Sequence, residues 1–575
     1  MPKLNVLFVV PMHITFESFI KPDSNSRTFT NKSGQRVNSL STDLPLGPLS
    51  ISAYLKKHMD INVKLIDFNA EVSSLEAFDY NSFESYIATF FKEMDFKPDL
   101  VGVSSLFSPS FQNFVDVGRV AKRTWPEAFT VGGGNIPTNS YTQIYKDLKY
   151  DFFDALCYGE GEKPMLELLK SDDYFAHVED STSWITSNNI VGSDYFTPQH
   201  NFVEELDQIP FLDYNLCDLE KHGVNQNLSS FHSVKNPKGF HVMTSRGCPY
   251  LCTFCASHKT HGRDMRYHSI DRVRKDLTRL VRDYGANTVV FQDDHLMASI
   301  PRVYEILSIV GELGLNSLYQ NGLTLYALNM QMLQAFYDAG VRHLVLPVES
   351  GSEKVLKKQM KKPLKLSISE EVAHNCRKLN IYTNINILIG MPGETKEDLE
   401  DSRNNLRKIH GNWFNIACAS PLAGSDMHQL ASDHNYISDA AIGSDYHVAT
   451  ISTEDWDSDY IQKFQYDLNL ELNFVYNNDV RYGNWENGLL GFMNVIRLRD
   501  DHAFAYYYAF LCYKKLGRTK EASDSLQKYL EFKESVFWKP FVERYNLPNS
   551  KEEALQKVED YNPVFSIEKE SLVHY

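Results

Sequence analysis

At 575 residues the chain is too long for a single hydrophobic core, which implies two to four domains. A formal net charge of −16 and the lack of any long Lys/Arg run argue against nucleic acid as a partner. No stretch reaches the roughly eighteen consecutive apolar residues of a bilayer span. The first ten residues lack the longer apolar region and cleavage site of a signal peptide, so the expected location is cytoplasmic. The eight cysteines are Cys157, Cys217, Cys248, Cys252, Cys255, Cys376, Cys418 and Cys512. Three fall within eight residues and the others are isolated, a pattern of reduced thiols with one chemical cluster.

In chain order, the apolar run 4–10 predicts a buried parallel strand. The Asn-, Ser- and Thr-rich stretch 21–42 is too long for a plain connection and reads as either a functional loop or a mobile one. A helix opens at Leu44-Pro45-Leu46-Gly47-Pro48 and ends near Lys57. Strands follow at 63–67, 99–105, 128–131 and 155–158, with a helix over 111–124. Each strand ends in Gly, Ser or Asp, and the alternation predicts a doubly wound, Rossmann-like α/β domain over residues 1–175. Residues 176–237 show no periodicity and read as a linker. Six further strand–helix units, with strands near 240–244, 288–291, 317–320, 343–347, 383–389 and 414–417, predict a partial (β/α)6 TIM-like barrel over 238–440. Reactive groups are expected at its C-terminal strand ends. Residues 441–575 read as all-α. Ala503, Tyr506, Ala509, Tyr513, Leu516, Gly517 and Ala522 fit a tetratricopeptide unit about as well as a plain helical cap.

Cys248, Cys252 and Cys255 are spaced CxxxCxxC directly after the first barrel strand. Three thiolates on one short loop can hold three corners of a cubane iron–sulfur cluster and leave its fourth iron open. A ferredoxin would supply a fourth Cys. Structural zinc, the competing metal, wants four closed ligands, and His258 and His261 are the nearby candidates. With Phe254 before the third Cys, the motif resembles that of the radical S-adenosylmethionine (SAM) superfamily. The resemblance implies a 4Fe–4S cluster whose open iron binds SAM and cleaves it to a 5′-deoxyadenosyl radical. It also implies SAM contacts at Phe254, at Gln292, Asp293 and Asp294, at Glu349, Ser350 and Gly351, and at Gly390, Pro392 and Gly393. Pro421-Leu422-Ala423-Gly424-Ser425-Asp426 looks like a further turn of that pattern. A one-electron donor such as flavodoxin or ferredoxin is implied as a partner.

In the first domain, Ser104, Ser105, Gly132, Gly133, Gly134, Asn135, Gly159, Glu160 and Gly161 would line one sheet edge, where small residues let a large flat ligand approach the backbone. Their order resembles the cobalamin-binding domain fused to radical SAM cores, and the resemblance covers roughly residues 1–430. The chain has no DxHxxG motif, and His13, the one His near the first strand, lacks the flanking Asp and Gly. The implied function is cobalamin-dependent C-methylation of a small molecule or natural-product intermediate. The alternatives are non-methylating radical chemistry (cyclisation, rearrangement or oxidation) with a vestigial cobalamin domain, and a non-catalytic Fe–S interaction protein. The substrate is expected between the cobalamin face and the barrel mouth, with the 21–42 loop and the C-terminal helices as sources of specificity.

Overall fold

The computed structural model describes residues 3–22, 28–38, 40, 42–192, 196–222, 237–437 and 448–566. Parts of the 21–42 loop and of the 176–237 linker lie outside the described residues.

Leu4–Val10 (β1) is apolar at every position but Asn5, so both of its faces need cover. It pairs in parallel with Ile61–Asp67 (β2) on one side and Leu100–Ser104 (β3) on the other. Phe129–Gly133 (β4) and Ala155–Cys157 (β5) continue the parallel sheet, and Trp184–Ile185 (β6) closes it antiparallel. The order β2-β1-β3-β4-β5-β6 reverses at β1, which places a crevice at the carboxyl ends of β1 and β3. Leu7, Val9, Val101 and Val103 face a core with Phe114 and Val117 of helix Phe111–Thr124. Val6 and Phe8 face the opposite core, with Tyr54 and Leu55 of helix Leu46–His58 and Leu168 of helix Glu162–Lys170.

The second series forms two parallel arcs. Gly239–Val242 (β7), Thr288–Phe291 (β8) and Asn316–Tyr319 (β9) lie in the order β9-β8-β7. His343–Glu349 (β10), Tyr382–Ile389 (β11) and Trp413–Cys418 (β12) lie in the order β10-β11-β12, and the arcs meet at β9 and β10. The helices between them carry local stop and start signals. Helix Ile270–Tyr284 begins at Ser269, whose side chain accepts from the Arg272 N–H, and ends at Gly285 in the left-handed region. Between the two domains, Val203, Leu206 and Ile209 pack into the first domain's core while Asp207 accepts from the Ser269 N–H.

The C-terminal helices are part of the barrel as well as beyond it. Trp456, Ile461, Phe464, Leu468 and Leu472 belong to the barrel core. The Trp456 indole N–H donates to the Glu394 carbonyl at 2.6 Å, and Arg377 pairs with buried Asp479 at 2.8 Å. Helices Trp485–Leu498, Ala503–Lys515 and Thr519–Phe532 then pack around Phe492, Ala509 and Leu526 as a separate core. Deleting 450–575 therefore removes at least these five large apolar side chains from the barrel core, the burial of each being worth about 1.5–3 kcal/mol. That approaches the whole stability of a domain, ~5–15 kcal/mol. The truncated chain is expected to be insoluble on expression, and soluble yield measures it. Among the described residues no helix is long and apolar enough to cross a membrane.

Candidate active site

The carboxyl ends of the first sheet and of the barrel face each other across a cavity of about 680 Å³, a size that accommodates a cofactor. Its sheet-side wall carries Ser104, Ser105, Gly132, Gly133, Gly134, Asn135, Gly159, Glu160 and Gly161, and its barrel-side wall Gln292, Asp294, Gln320 and Asn321. A second cavity of about 180 Å³ holds Cys248, Cys252, Cys255, Phe254 and Glu349. Asp294 and Asn321 line both, so the two spaces adjoin.

The cysteine loop is fixed from three sides. Gly247 takes a φ of +97°, and a Cβ there would lie 2.3 Å from the Asp264 carbonyl, so only glycine fits the turn into Cys248. Thr253 donates its N–H to the Met360 carbonyl at 3.1 Å and its hydroxyl to the Gln359 carbonyl at 2.5 Å. The Met427 N–H donates to the Thr253 carbonyl at 2.8 Å. All three thiols are free. Burial pushes the Cys248 thiol up to about 11 and also raises Cys252. Ligation in this pocket therefore displaces protons from thiols held neutral. Among the described residues no three His, Cys, Asp or Glu side chains converge on one ion, and His261 is engaged by Glu160 at 3.1 Å. A cubane, whose corners stand apart, takes thiolates spread around a loop, and these three residues fit it better than a closed zinc site.

The predicted SAM residues divide. Phe254, Asp294 and Glu349 line the cysteine cavity. Glu349 holds a left-handed φ of 71°, a strained geometry for a non-glycine residue, and pairs with Lys362 at 3.4 Å. Gln292 faces the larger cavity and donates to the Gln320 side chain at 2.7 Å. Asp293 points elsewhere: fully buried, it accepts from the Thr244 N–H and hydroxyl and from the Ser245 hydroxyl at 2.6–3.1 Å. Ser350 and Gly351 pack on helix Lys396–Leu406, with Ser350 Oγ 3.3 Å from Ser402 Oγ. Gly390, Pro392 and Gly393 form the turn after β11 and line neither cavity. Glu394 closes that turn by accepting from the Gly390 and Met391 N–H groups at 2.7 and 3.0 Å.

Burial raises the Glu394 carboxyl from 4.5 to about 7 against the two N–H groups that favour its charge, and its second oxygen is buried without a partner. The folded chain thus holds this proton more tightly than the unfolded one. The resulting stabilisation is complete below pH 4.5 and is lost as pH rises through 7, by roughly 3 kcal/mol. Glu394→Gln keeps an acceptor for both N–H groups and cannot ionise. Its melting temperature is expected to fall less than that of the unsubstituted chain between pH 5 and pH 8, as calorimetry would record.

The predicted cobalamin residues also divide. A Cβ on Gly133 would meet only Cys157 Cβ at 4.0 Å, so its place is open cavity, whereas one on Gly132 would strike Phe114 and Leu156 beneath the sheet. Gly132 is small for packing and Gly133 leaves room for a ligand. Gly134 turns the chain at φ +95°. Gly161 packs on Ile51. Glu160 is committed to protein partners, with Arg246 at 2.8 Å, Arg266 at 2.5 Å and His261 at 3.1 Å, and its side chain is 3% exposed. Burial alone would raise its carboxyl, but Arg246, His261 and Arg266 hold it well below the usual carboxylate range. Glu162 pairs with the other arm of Arg246 at 2.8 Å. His13 lines the cavity against Phe107, and burial lowers its imidazole, so it is presented neutral.

Sequence reasoning passed over Gln320 and Asn321, whose signal was their place at the end of the third barrel strand, and Arg246, two residues before Cys248. Tyr250 and Tyr326, whose hydroxyls meet at the rim of the cysteine cavity, carried no sequence signal.

Residues 38–169 match the B12 binding domain and residues 242–406 the Radical SAM superfamily. The chain is 27% identical over 418 residues to the cytidylyl-2-hydroxyethylphosphonate methyltransferase of Streptomyces wedmorensis, covering 67% of this chain and 77% of that one. It is 25% identical over 341 residues to the anaerobic magnesium-protoporphyrin IX monomethyl ester cyclase of Rubrivivax gelatinosus, 59% of each chain. Its fold is similar to that of the cobalamin-dependent S-adenosylmethionine radical enzyme OxsB, with a TM-score of 0.57, 14% identity and coverage of 97% of this chain and 83% of that one.

Proposed function

This chain belongs to the radical SAM enzymes that carry a B12-binding domain, and from that membership we propose that it methylates a carbon of a small-molecule substrate bound where the two cavities meet. The observation that carries the reading is the shared wall. Asp294 and Asn321 border both the cysteine cavity and the sheet-edge cavity, so a substrate carbon there faces both. When bound, the iron–sulfur cluster with SAM supplies hydrogen abstraction and the cobalamin supplies the methyl group.

The protein's own contributions follow from its residues. Cys248, Cys252 and Cys255 would hold the cluster, and Phe254, Asp294 and Glu349 line the same cavity, where SAM would sit beside it. Ser104, Ser105, Gly133, Gly134, Asn135 and Gly159 line the sheet side of the larger cavity and would hold the cobalamin there. The amides of Gln292, Gln320 and Asn321 offer donors and acceptors without net charge, suited to orienting a hydrogen-bonding substrate. Glu160, on the same wall, ties that sheet edge to the barrel through Arg246 and Arg266. The resemblance to a methyltransferase named for a phosphonate substrate supports methyl transfer. The resemblance to an ester cyclase supports a second reading, radical oxidation and ring closure in the same cavity.

Anaerobic reconstitution with iron and sulfide, followed by SAM and a strong reductant with and without hydroxocobalamin, tests both. Formation of 5′-deoxyadenosine together with cobalamin-dependent S-adenosylhomocysteine is the expected result. Formation of 5′-deoxyadenosine alone, indifferent to cobalamin, would replace methylation by the second reading. Formation of neither would overturn both.

A further inference from the structure

The densest positive charge in this acidic chain lies against the cysteine loop. Six of the twelve residues 354–365 are lysine and none is acidic, in a chain whose net charge is −16. The segment is not remote from the chemistry. Its Gln359 and Met360 carbonyls accept from Thr253, between Cys252 and Cys255, and its Lys362, Pro363 and Leu364 line the cysteine cavity. Three of the lysines are neutralised: Lys354 pairs with Asp398 at 2.8 Å, Lys361 with Asp426 at 3.4 Å and Lys362 with Glu349 at 3.4 Å. Lys357, Lys358 and Lys365 are exposed and form no ion pair among the described residues. They border neither cavity, so they do not serve a substrate inside it. Nearby, exposed Arg263 donates to the Tyr250 carbonyl at 2.5 Å, and Leu251, at the tip of the cysteine loop, is 57% exposed. An exposed apolar tip on the cysteine loop, and unpaired cations on the segment that loop is hydrogen-bonded to, are the makings of a small, transient, electrostatically steered interface.

We propose that the Lys357–Lys365 turn docks an acidic one-electron carrier protein of the flavodoxin or ferredoxin class. One electron leaves the carrier, which is oxidised, and enters the cluster held by the three cysteines, which is reduced; no bond to the carrier forms. The inference rests on the radical SAM reading above and adds the place at which the electron enters. A polyanion such as tRNA is the competing occupant. A patch of three unpaired lysines is narrow for it, since nucleic-acid affinity grows with the number of phosphates neutralised.

The test uses the reconstituted full chain, flavodoxin hydroquinone as carrier and dithionite as chemical reductant. In Lys357→Glu/Lys358→Glu, and separately in Lys365→Glu, flavodoxin-driven 5′-deoxyadenosine formation at low salt is expected to fall at least tenfold. The dithionite-driven rate should be unchanged. Flavodoxin binding measured by biolayer interferometry should weaken with the same variants and with added salt. The neutral double variant Lys357→Gln/Lys358→Gln should lie between. Lys520→Glu, on a C-terminal helix, should behave like the unsubstituted chain. An unchanged flavodoxin-driven rate, an equal loss with both reductants, or tRNA binding in place of flavodoxin would each overturn the proposal. Absence of 5′-deoxyadenosine with dithionite in the unsubstituted chain would instead defeat the radical reading, and the binding measurement would still decide the docking surface.

Discussion

Arg246→Met is expected to destabilise the protein by about 3–5 kcal/mol and to lower the iron bound per chain after reconstitution. The reason is position as well as charge. Arg246 lies just before Cys248 on the barrel side, yet its partners come from the first domain, Glu160 from the loop after β5 and Glu162 from the start of helix Glu162–Lys170. Its side chain is 11% exposed, and Ser50 of helix Leu46–His58 also accepts from it at 3.2 Å. Removing the guanidinium leaves Glu162 buried with a hydroxyl as its remaining partner and Glu160 dependent on Arg266 and His261. Breaking a buried pair by deleting one partner is costly because a desolvated charge stays behind. Lys restores the charge and not the fork, so Arg246→Lys should recover stability in part and leave iron content below that of the unsubstituted chain. Differential scanning calorimetry reads the first quantity and iron and sulfide analysis the second. If the ion cluster binds the cofactor domain to the cysteine loop as one body, cobalamin affinity should fall in the same variants. Glu160→Gln, which removes a charge shared by three cations, should show the same pair of losses. Equal iron content in all variants would reduce the cluster to a structural tie.

That ion cluster also marks where reading the sequence stops. The apolar run of β1, the glycines after β4 and the CxxxCxxC spacing each declare themselves within ten residues, because strand burial, tight turns and cluster ligation are local demands. The sheet, the barrel arcs and the chemical family were legible for that reason. Glu160 lines the cavity with its sequence neighbours Gly159 and Gly161, but its carboxylate is taken up by Arg246 and Arg266, partners 86 and 106 residues away that no local pattern announces. Asp293 and Asp294 are adjacent in sequence and diverge in space, one satisfied by Thr244 and Ser245 and the other facing both cavities. Period two along a strand puts neighbours on opposite faces, but which of them meets the site depends on where the strand ends, and β8 ends at Phe291. The contribution of the C-terminal helices to the barrel core was hidden for a similar reason. Trp456 and Ile461 look like ordinary helix residues until the turn after β11 is in place to receive them, and Gly390 is small because a Cβ there would meet Ile461 at 2.9 Å.

Cys252→Ala is expected to abolish cluster assembly and with it SAM cleavage, leaving 5′-deoxyadenosine at the level of a protein-free control. A cubane held by three thiolates with one iron open has no spare protein ligand, and two remaining cysteines cannot fix it. Of the two nearby histidines, His261 is held by Glu160 at 3.1 Å. The control is a thiol buried elsewhere. Cys376 lies in the barrel core, fully buried, and Cys376→Ala should cost about 1–2 kcal/mol of stability while leaving the visible charge-transfer absorption of the cluster unchanged. Comparing the two variants by absorption, iron content and product formation separates loss of a ligand from loss of a fold. Thr253→Val sharpens the comparison. It keeps all three cysteines and the Thr253 N–H bond but deletes the hydroxyl that reaches the Gln359 carbonyl, so the cluster should assemble with looser geometry. A loss of roughly ten- to a hundredfold in product formation, the range seen when support behind a metal ligand is removed, is the expected result. Full activity in Cys252→Ala would mean that the CxxxCxxC loop is not the radical centre. Full activity in Thr253→Val would mean that the Thr253 N–H bond to the Met360 carbonyl fixes the loop without help from the hydroxyl.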